Sequence, residues 1–203
     1  MRDGMIVVDD FYASPDSVRK FALAQEYTDF GGAKAFLGRE TLYPYFDDSM
    51  TARFSELVGT PIVHSERQVY GKFRLAGADE SRRTKVHFDR SAWAANIYLT
   101  PGLDASCGLG IYRHRATGLE EVPSAEQLAD LGFDSLNEFD ATVVVPDSLD
   151  QSRWELIDII EPTYNRLVVI PGSRYFHAAE KGSGVNVEEA RLSQHFFFQA
   201  LDD

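Results

Sequence analysis

In KVHFDRS, His87 and Asp89 stand two residues apart and offer an imidazole and a carboxylate, two of the commonest groups for holding a cation. In an extended strand, side chains at i and i+2 leave the same face, so both can converge on one ion. Alone, an HxD triplet reads more readily as a solvated pair on a surface turn. A second imidazole shifts that balance. In VVIPGSRYFHAAEKGSG an apolar strand runs into Pro171-Gly172, and the tight turn sets His177 at the rim of a barrel interior. Two histidines and one carboxylate form a facial set that leaves half an octahedron open, the arrangement oxygen-activating iron needs.

The terminal run RLSQHFFFQ turns Arg191 and Ser193 to one side, and His195 to the same side if the strand is regular. An arginine aimed into an apolar barrel is costly unless an anion meets it. A small carboxylate bound bidentately, with Ser193 donating to the same group, is one partner; an internal salt bridge to Asp or Glu is the other. His64 and His114 read as surface or strand residues. Arg74, Arg90 and Arg113 are further contacts for an anionic substrate, or solvated arginines.

The elements that must position these residues come in two textures. Residues 1–60 read as helical support: a short strand at 5–8, a helix opened by Ser14-Pro15-Asp16 that carries Val18, Phe21 and Ala22, and a second helix carrying Met50, Phe54, Leu57 and Val58 until Gly59. Residues 61–203 read as short β-runs at 68–73, 91–99, 108–113, 154–160, 166–170 and 191–199, punctuated by Gly and Pro, which point to a sandwich or jelly roll. A polar stretch at 116–152 interrupts them, and Ser124/Gln127 and Ser135/Glu138 have the capping-box spacing of helix starts. It reads as a helical insertion serving as a lid, a substrate-recognition element or a surface ornament. One domain over 1–203 is the expectation.

Lys and Arg total 20 against 32 Asp and Glu, a formal net charge of -12. That balance argues against nucleic acid and membrane surfaces as partners. Cys107 is the only cysteine, which excludes an internal disulfide and any cysteine-rich metal site. The N-terminal apolar run is too short for a signal-peptide core or a membrane span, so the cytoplasm is the expected location.

Together the ordered motifs resemble the Fe(II)/2-oxoglutarate-dependent dioxygenases, in particular the prolyl 4-hydroxylase-like branch. The likeness runs over roughly 69–199: Tyr70-Gly71 before the HxD, Tyr98-Leu99 after it, a glycine strand at 107–112 that lacks the usual threonine, Pro171-Gly172 before His177, and Arg191 on a later strand. The resemblance implies a double-stranded β-helix with iron held by His87, Asp89 and His177. It further implies O2 as oxidant, 2-oxoglutarate with its far carboxylate on Arg191 and Ser193, and Tyr70 or Tyr98 bonding that carboxylate. Hydroxylation, desaturation and cyclisation all fit, on a small molecule, amino acid or peptidyl side chain, and the sequence leaves a homodimer open. Phe88, Trp93, Phe176 and Phe197 are the expected dry lining, with the loop at 31–39 and the turn at 76–83 framing the mouth. Two rivals stand beside this reading: a cupin-like metal enzyme that does not use 2-oxoglutarate, and a non-enzymatic metal-binding barrel.

Overall fold

The computed structural model describes residues 2–29, 36–79 and 85–201. Strand β1 (Ile6–Val8) is followed by helix α1 (Pro15–Leu23), strands β2 (Tyr27–Thr28) and β3 (Arg39–Thr41), and helix α2 (Asp48–Val58). Asp47 caps α2 by accepting from the Met50 N–H, and Gly59 ends it in the left-handed conformation. Strands β4 (Ile62–Val63), β5 (Tyr70–Ala76), β6 (Trp93–Tyr98) and β7 (Leu109–His114) come next. After them lie α3 (Ala125–Asp130), α4 (Leu136–Phe139), a π-helical turn (Asp140–Val144) and α5 (Val145–Asp147). Strands β8 (Trp154–Ile160), β9 (Leu167–Ile170), β10 (His177–Ala179) and β11 (Arg191–Ala200) complete the order.

The chain is mostly β, and its sheets are antiparallel. The larger runs β1-β9-β6-β11-β5-β3-β2, with β4 also on β11; the smaller is β10-β7-β8. This arrangement fits a jelly-roll fold. Period-two alternation divides the large sheet's side chains between two environments. Phe73, Leu75, Ile97, Val169, Leu192, Phe196 and Phe198 pack with Phe54 of α2 and Ala22 of α1. Tyr98, Val168 and Ile170 meet Ile111 and Ile160 of the small sheet. A third apolar cluster joins Val86, Phe88, Phe176 and Ala178 to Leu128, Phe139 and Val144 of the helical stretch.

Ser124 and Gln127 form a complete capping box at α3. At α4 Ser135 accepts from the Glu138 N–H, but the Glu138 carboxylate accepts from the Asp134 N–H instead of the cap residue's. No described helix is long and apolar enough to cross a membrane.

Candidate metal centre and anion-binding wall

His87 and Asp89 do not lie in a regular strand, contrary to the simplest reading of their spacing. They occupy an extended segment tied to β10 by an isolated bridge, in which the His87 and His177 backbones exchange both hydrogen bonds, at 3.1 and 2.8 Å. The two-residue logic still operates. Phe88 turns into the third cluster while His87 and Asp89 turn into a cavity, and Phe176 and Ala178 flank His177 in the same way. Asp89 is fixed by its N–H donating to the Gly172 carbonyl at 2.8 Å. A Cβ on Gly172 would lie 2.3 Å from Asp89 Oδ2, so this approach needs glycine.

One donor atom from each of His87, Asp89 and His177 falls within a 4.8 Å cluster. Nδ1 of His87 lies 2.8 Å from the Lys85 carbonyl and Nδ1 of His177 lies 2.8 Å from the Tyr175 carbonyl. A carbonyl only accepts, so both Nδ1 atoms carry hydrogen, and in the neutral rings Nε2 keeps its lone pair. Those Nε2 atoms stand 3.6 and 3.3 Å from the Asp89 oxygens. Burial opposes charge on Asp89, but the His177 and His87 imidazoles outweigh it and hold the carboxyl well below its usual range. Burial likewise opposes charge on His177, and the Asp89 carboxylate overcomes it and raises the imidazole pKa. Asp89 Oδ2 is buried with no hydrogen-bond donor in bonding geometry. A divalent cation fits that donor set: two preset imidazoles and one carboxylate oxygen still lacking a partner.

Across the cavity stands the inner face of the large sheet. The space measures about 150 Å³ and is lined by the three residues above together with Arg74, Asn96, Arg191, His195, Phe197 and smaller apolar side chains. Arg191 donates from Nε to the Cys107 carbonyl at 2.8 Å and from Nη1 to Ser193 Oγ at 3.3 Å. Its Nη2 is buried with no acceptor, and its guanidinium lies 5.2 Å above the Tyr98 ring. The Tyr98 hydroxyl and Asn96 Oδ1 are also buried and unpartnered. Among the described residues no carboxylate reaches Arg191, which disfavours the internal salt bridge; it is Arg74 that takes one, from Glu40 at 2.9 Å. Ser193 and Tyr98 are fully buried and sit behind the cavity surface.

Several expectations need correction. Tyr70 is not at this wall: its ring packs against Phe46, His64 and Phe196, and its hydroxyl lies 2.9 Å from Thr51 Oγ1. Regular alternation would put Tyr70 on the face of Lys72 and Arg74. Instead β5 pairs Lys72 with His195 and Tyr70 with Phe196, and the extra residue, Gly71 at φ 90°, turns Tyr70 to the helix-covered face. Of the expected apolar lining only Phe197 contributes; Phe88 and Phe176 belong to the third cluster and Trp93 packs on the first.

No residue of 116–152 lines the cavity, so this stretch is not a lid over it among the described residues. Residues 31–35 and 80–83 of the two expected mouth loops lie outside the described residues, though Phe36 and Leu37 do line the cavity. Arg90 pairs with Asp140, and Arg113 with Glu120 and Glu155, all away from the cavity. Sequence reasoning missed Asn96; its only signal was a polar residue two before Tyr98 in an otherwise apolar strand.

Solved structures of similar fold are iron/2-oxoglutarate oxygenases of the prolyl 4-hydroxylase type. A prolyl hydroxylase from Trichoplax adhaerens, in complex with a hypoxia-inducible-factor peptide fragment, superposes with a TM-score of 0.52 at 8% identity, over 97% of this chain and 84% of that one. HygX from Streptomyces hygroscopicus, with nickel and 2-oxoglutarate bound, gives 0.47 at 13% identity over 98% and 83%. A Pseudomonas putida prolyl-4-hydroxylase gives 0.43 at 14% over 97% and 92%. At such identities the likeness is one of fold. No curated protein sequence matches the chain. A family model does match, over residues 2–198, and the chain therefore belongs to DUF6445, a family of unknown function.

Proposed function

We propose that the chain is a single-domain non-haem iron(II) and 2-oxoglutarate-dependent oxygenase built on a double-stranded β-helix, with the helical stretch 116–152 inserted between its strands. One observation carries the reading: a single cavity joins a His/Asp/His cluster to an arginine whose Nη2 has no acceptor, beside an unpartnered tyrosine hydroxyl. His87, Asp89 and His177 hold the metal. Arg191 receives the far carboxylate of 2-oxoglutarate, with Ser193 and Tyr98 as further donors. When bound, iron, 2-oxoglutarate and O2 together supply oxidative cleavage of an unactivated C–H bond, with the co-substrate converted to succinate and carbon dioxide. The chain's own residues orient and exclude. The Lys85 and Tyr175 carbonyls fix both imidazole tautomers, Asp89 provides the anionic ligand, and Phe197, Ala94, Val168 and Ile170 supply apolar lining between the polar groups. The substrate is a small molecule, an amino acid or a peptidyl side chain, and the protein works in the cytoplasm.

Anaerobic titration of the iron(II)-loaded protein with 2-oxoglutarate tests this reading through the visible charge-transfer band of a chelated keto acid. The band is expected in wild type. In Arg191→Ala it should require about 10- to 100-fold more 2-oxoglutarate, the range for losing a hydrogen-bond partner of a charged group. Bound iron without a band would favour the cupin-like alternative, and absence of iron binding the non-enzymatic one.

A further inference from the structure

Behind the cavity wall the hydrogen bonds form a chain whose direction can be worked out atom by atom. Glu40 Oε2 accepts from Arg74 Nε at 2.9 Å. Arg74 Nη1 lies 3.3 Å from His195 Nδ1, His195 Nε2 lies 2.8 Å from Ser193 Oγ, and Ser193 Oγ also lies 3.3 Å from Arg191 Nη1. A guanidinium can only donate, so His195 Nδ1 must accept. A neutral imidazole that accepts at Nδ1 carries its hydrogen on Nε2, so Nε2 donates to Ser193. Ser193 Oγ then accepts twice, from His195 and from Arg191, and both of its lone pairs are used. Its one proton has no acceptor within this chain. The opposite assignment, with Ser193 donating to His195, would place a hydrogen on Nδ1 facing the hydrogens of Arg74.

We infer that Arg74 and His195 are positioning residues that fix Ser193 as an obligate donor beside Arg191, toward a ligand carboxylate. The inference rests on the oxygenase reading for the identity of that ligand. Ser193 O–H and the free Arg191 Nη2 are donors that cannot turn acceptor without breaking the chain, and the Tyr98 hydroxyl, which lies outside the chain, can add a third donor. Burial, with Arg74 and Arg191 nearby, holds the His195 imidazole well below its ordinary range, which keeps it neutral as the chain requires. Beside Arg191 a carboxylate meets Ser193 and Arg191 as fixed donors, whereas the unpartnered acceptor on this wall is Asn96 Oδ1. Glu40 takes part from outside the cavity: it grips the Nε edge of Arg74 and leaves the Nη edge to His195.

Two measurements test this. Nitrogen-15 NMR of the zinc-loaded wild-type protein at neutral pH reads the His195 tautomer directly, its signal assigned by its loss in His195→Gln. Hydrogen on Nε2 is expected; hydrogen on Nδ1, or on both nitrogens, overturns the inference whatever the ligand. Calorimetric titration with 2-oxoglutarate then compares wild type, Ser193→Ala, His195→Leu, which can neither accept from Arg74 nor donate to Ser193, and the double variant. Each single change is expected to weaken binding about tenfold, the low end for a hydrogen bond to a charged group. The double variant should lose about tenfold as well, since both changes remove one donor. A product of the two losses, near a hundredfold, or binding in His195→Leu equal to wild type, overturns the coupling. No binding by wild type overturns the oxygenase reading itself, a failure the tautomer measurement separates from that of the hydrogen-bond chain.

Discussion

The two walls of the cavity are held by different means. On the metal side, backbone does the positioning: reciprocal His87–His177 hydrogen bonds, the Asp89 N–H on the Gly172 carbonyl, and an apolar wedge of Phe88, Phe176, Phe139 and Val144 behind the ligands. On the anion side, side chains position one another through Glu40, Arg74, His195, Ser193 and Arg191. A cation needs its donors at fixed distances, which paired backbone supplies. A carboxylate needs donors of fixed polarity, which a directed hydrogen-bond chain supplies. The walls should therefore fail separately, and substitutions on one side test whether they do.

Asp89→Ala has the largest expected effect. It removes the only anionic ligand and should cost more than the roughly 10- to 100-fold typical of losing an outer-shell partner, so that iron is no longer retained through gel filtration. The fold should persist, because the reciprocal His87–His177 backbone hydrogen bonds and the apolar cluster behind them hold this segment without the Asp89 side chain. Retention of stoichiometric iron would move the centre elsewhere.

Phe139→Ala comes second. Phe139 is fully buried in the cluster that backs the metal ligands, and its truncation should cost about 3–5 kcal/mol in denaturant unfolding. In the folded fraction, metal affinity should fall while the anion wall, none of whose residues belongs to that cluster, is unchanged. Phe54→Ala, in the helix-side core, should cost a similar amount of stability and leave metal affinity alone. Equal metal losses in both variants would dissolve the distinction between the walls.

Proton competition gives the third test. With no metal bound, Asp89 is held charged and His177 has a raised pKa. The sign follows from linkage: the raised His177 contributes stability that is complete at low pH and lost as pH rises through its folded-state pKa, while Asp89 contributes stability lost only in strong acid. Metal must displace the His177 proton, so its affinity should fall about tenfold per pH unit below that pKa. Thermal shifts on adding zinc should accordingly grow as pH rises. A shift independent of pH would mean that His177 is not a ligand.

What the sequence displayed and what it hid divide along the same line. Backbone period and turn residues are local, so the six β-runs, both N-terminal helices, and the placement of His87, Asp89 and His177 on one cavity were legible from spacing. Arg191 and Ser193 were legible for the same reason, because β11 alternates: Leu192, Phe196 and Phe198 enter the core while Arg191, His195 and Phe197 line the cavity. Hidden were features that depend on an irregularity or on a distant partner. The short strands β2, β3, β4 and β10 exist only because a longer strand pairs with them. Glu40, thirty-four residues from Arg74 in sequence, shows no local sign that it would claim that arginine. The face on which 116–152 packs is set by Phe88 and Phe176, which lie far from it in the chain.

Tyr70 and Tyr98 give the smallest expected effect and the cleanest separation. Both precede or follow the HxD as the resemblance requires, and spacing alone could not choose between them; the bulge at Gly71 does. Tyr70→Phe loses one partly buried hydrogen bond to Thr51 and should cost about 1 kcal/mol of stability, with 2-oxoglutarate affinity unchanged. Tyr98→Phe removes a hydroxyl that has no partner in hydrogen-bond geometry among the described residues, so stability should hold or rise slightly while 2-oxoglutarate binding weakens severalfold. Unfolding and calorimetry on the two variants thus give opposite patterns. The reverse result, with Tyr70→Phe weakening the co-substrate and Tyr98→Phe leaving it untouched, would mean that β5 runs without its bulge and that the donor set beside Arg191 has been assigned to the wrong strand.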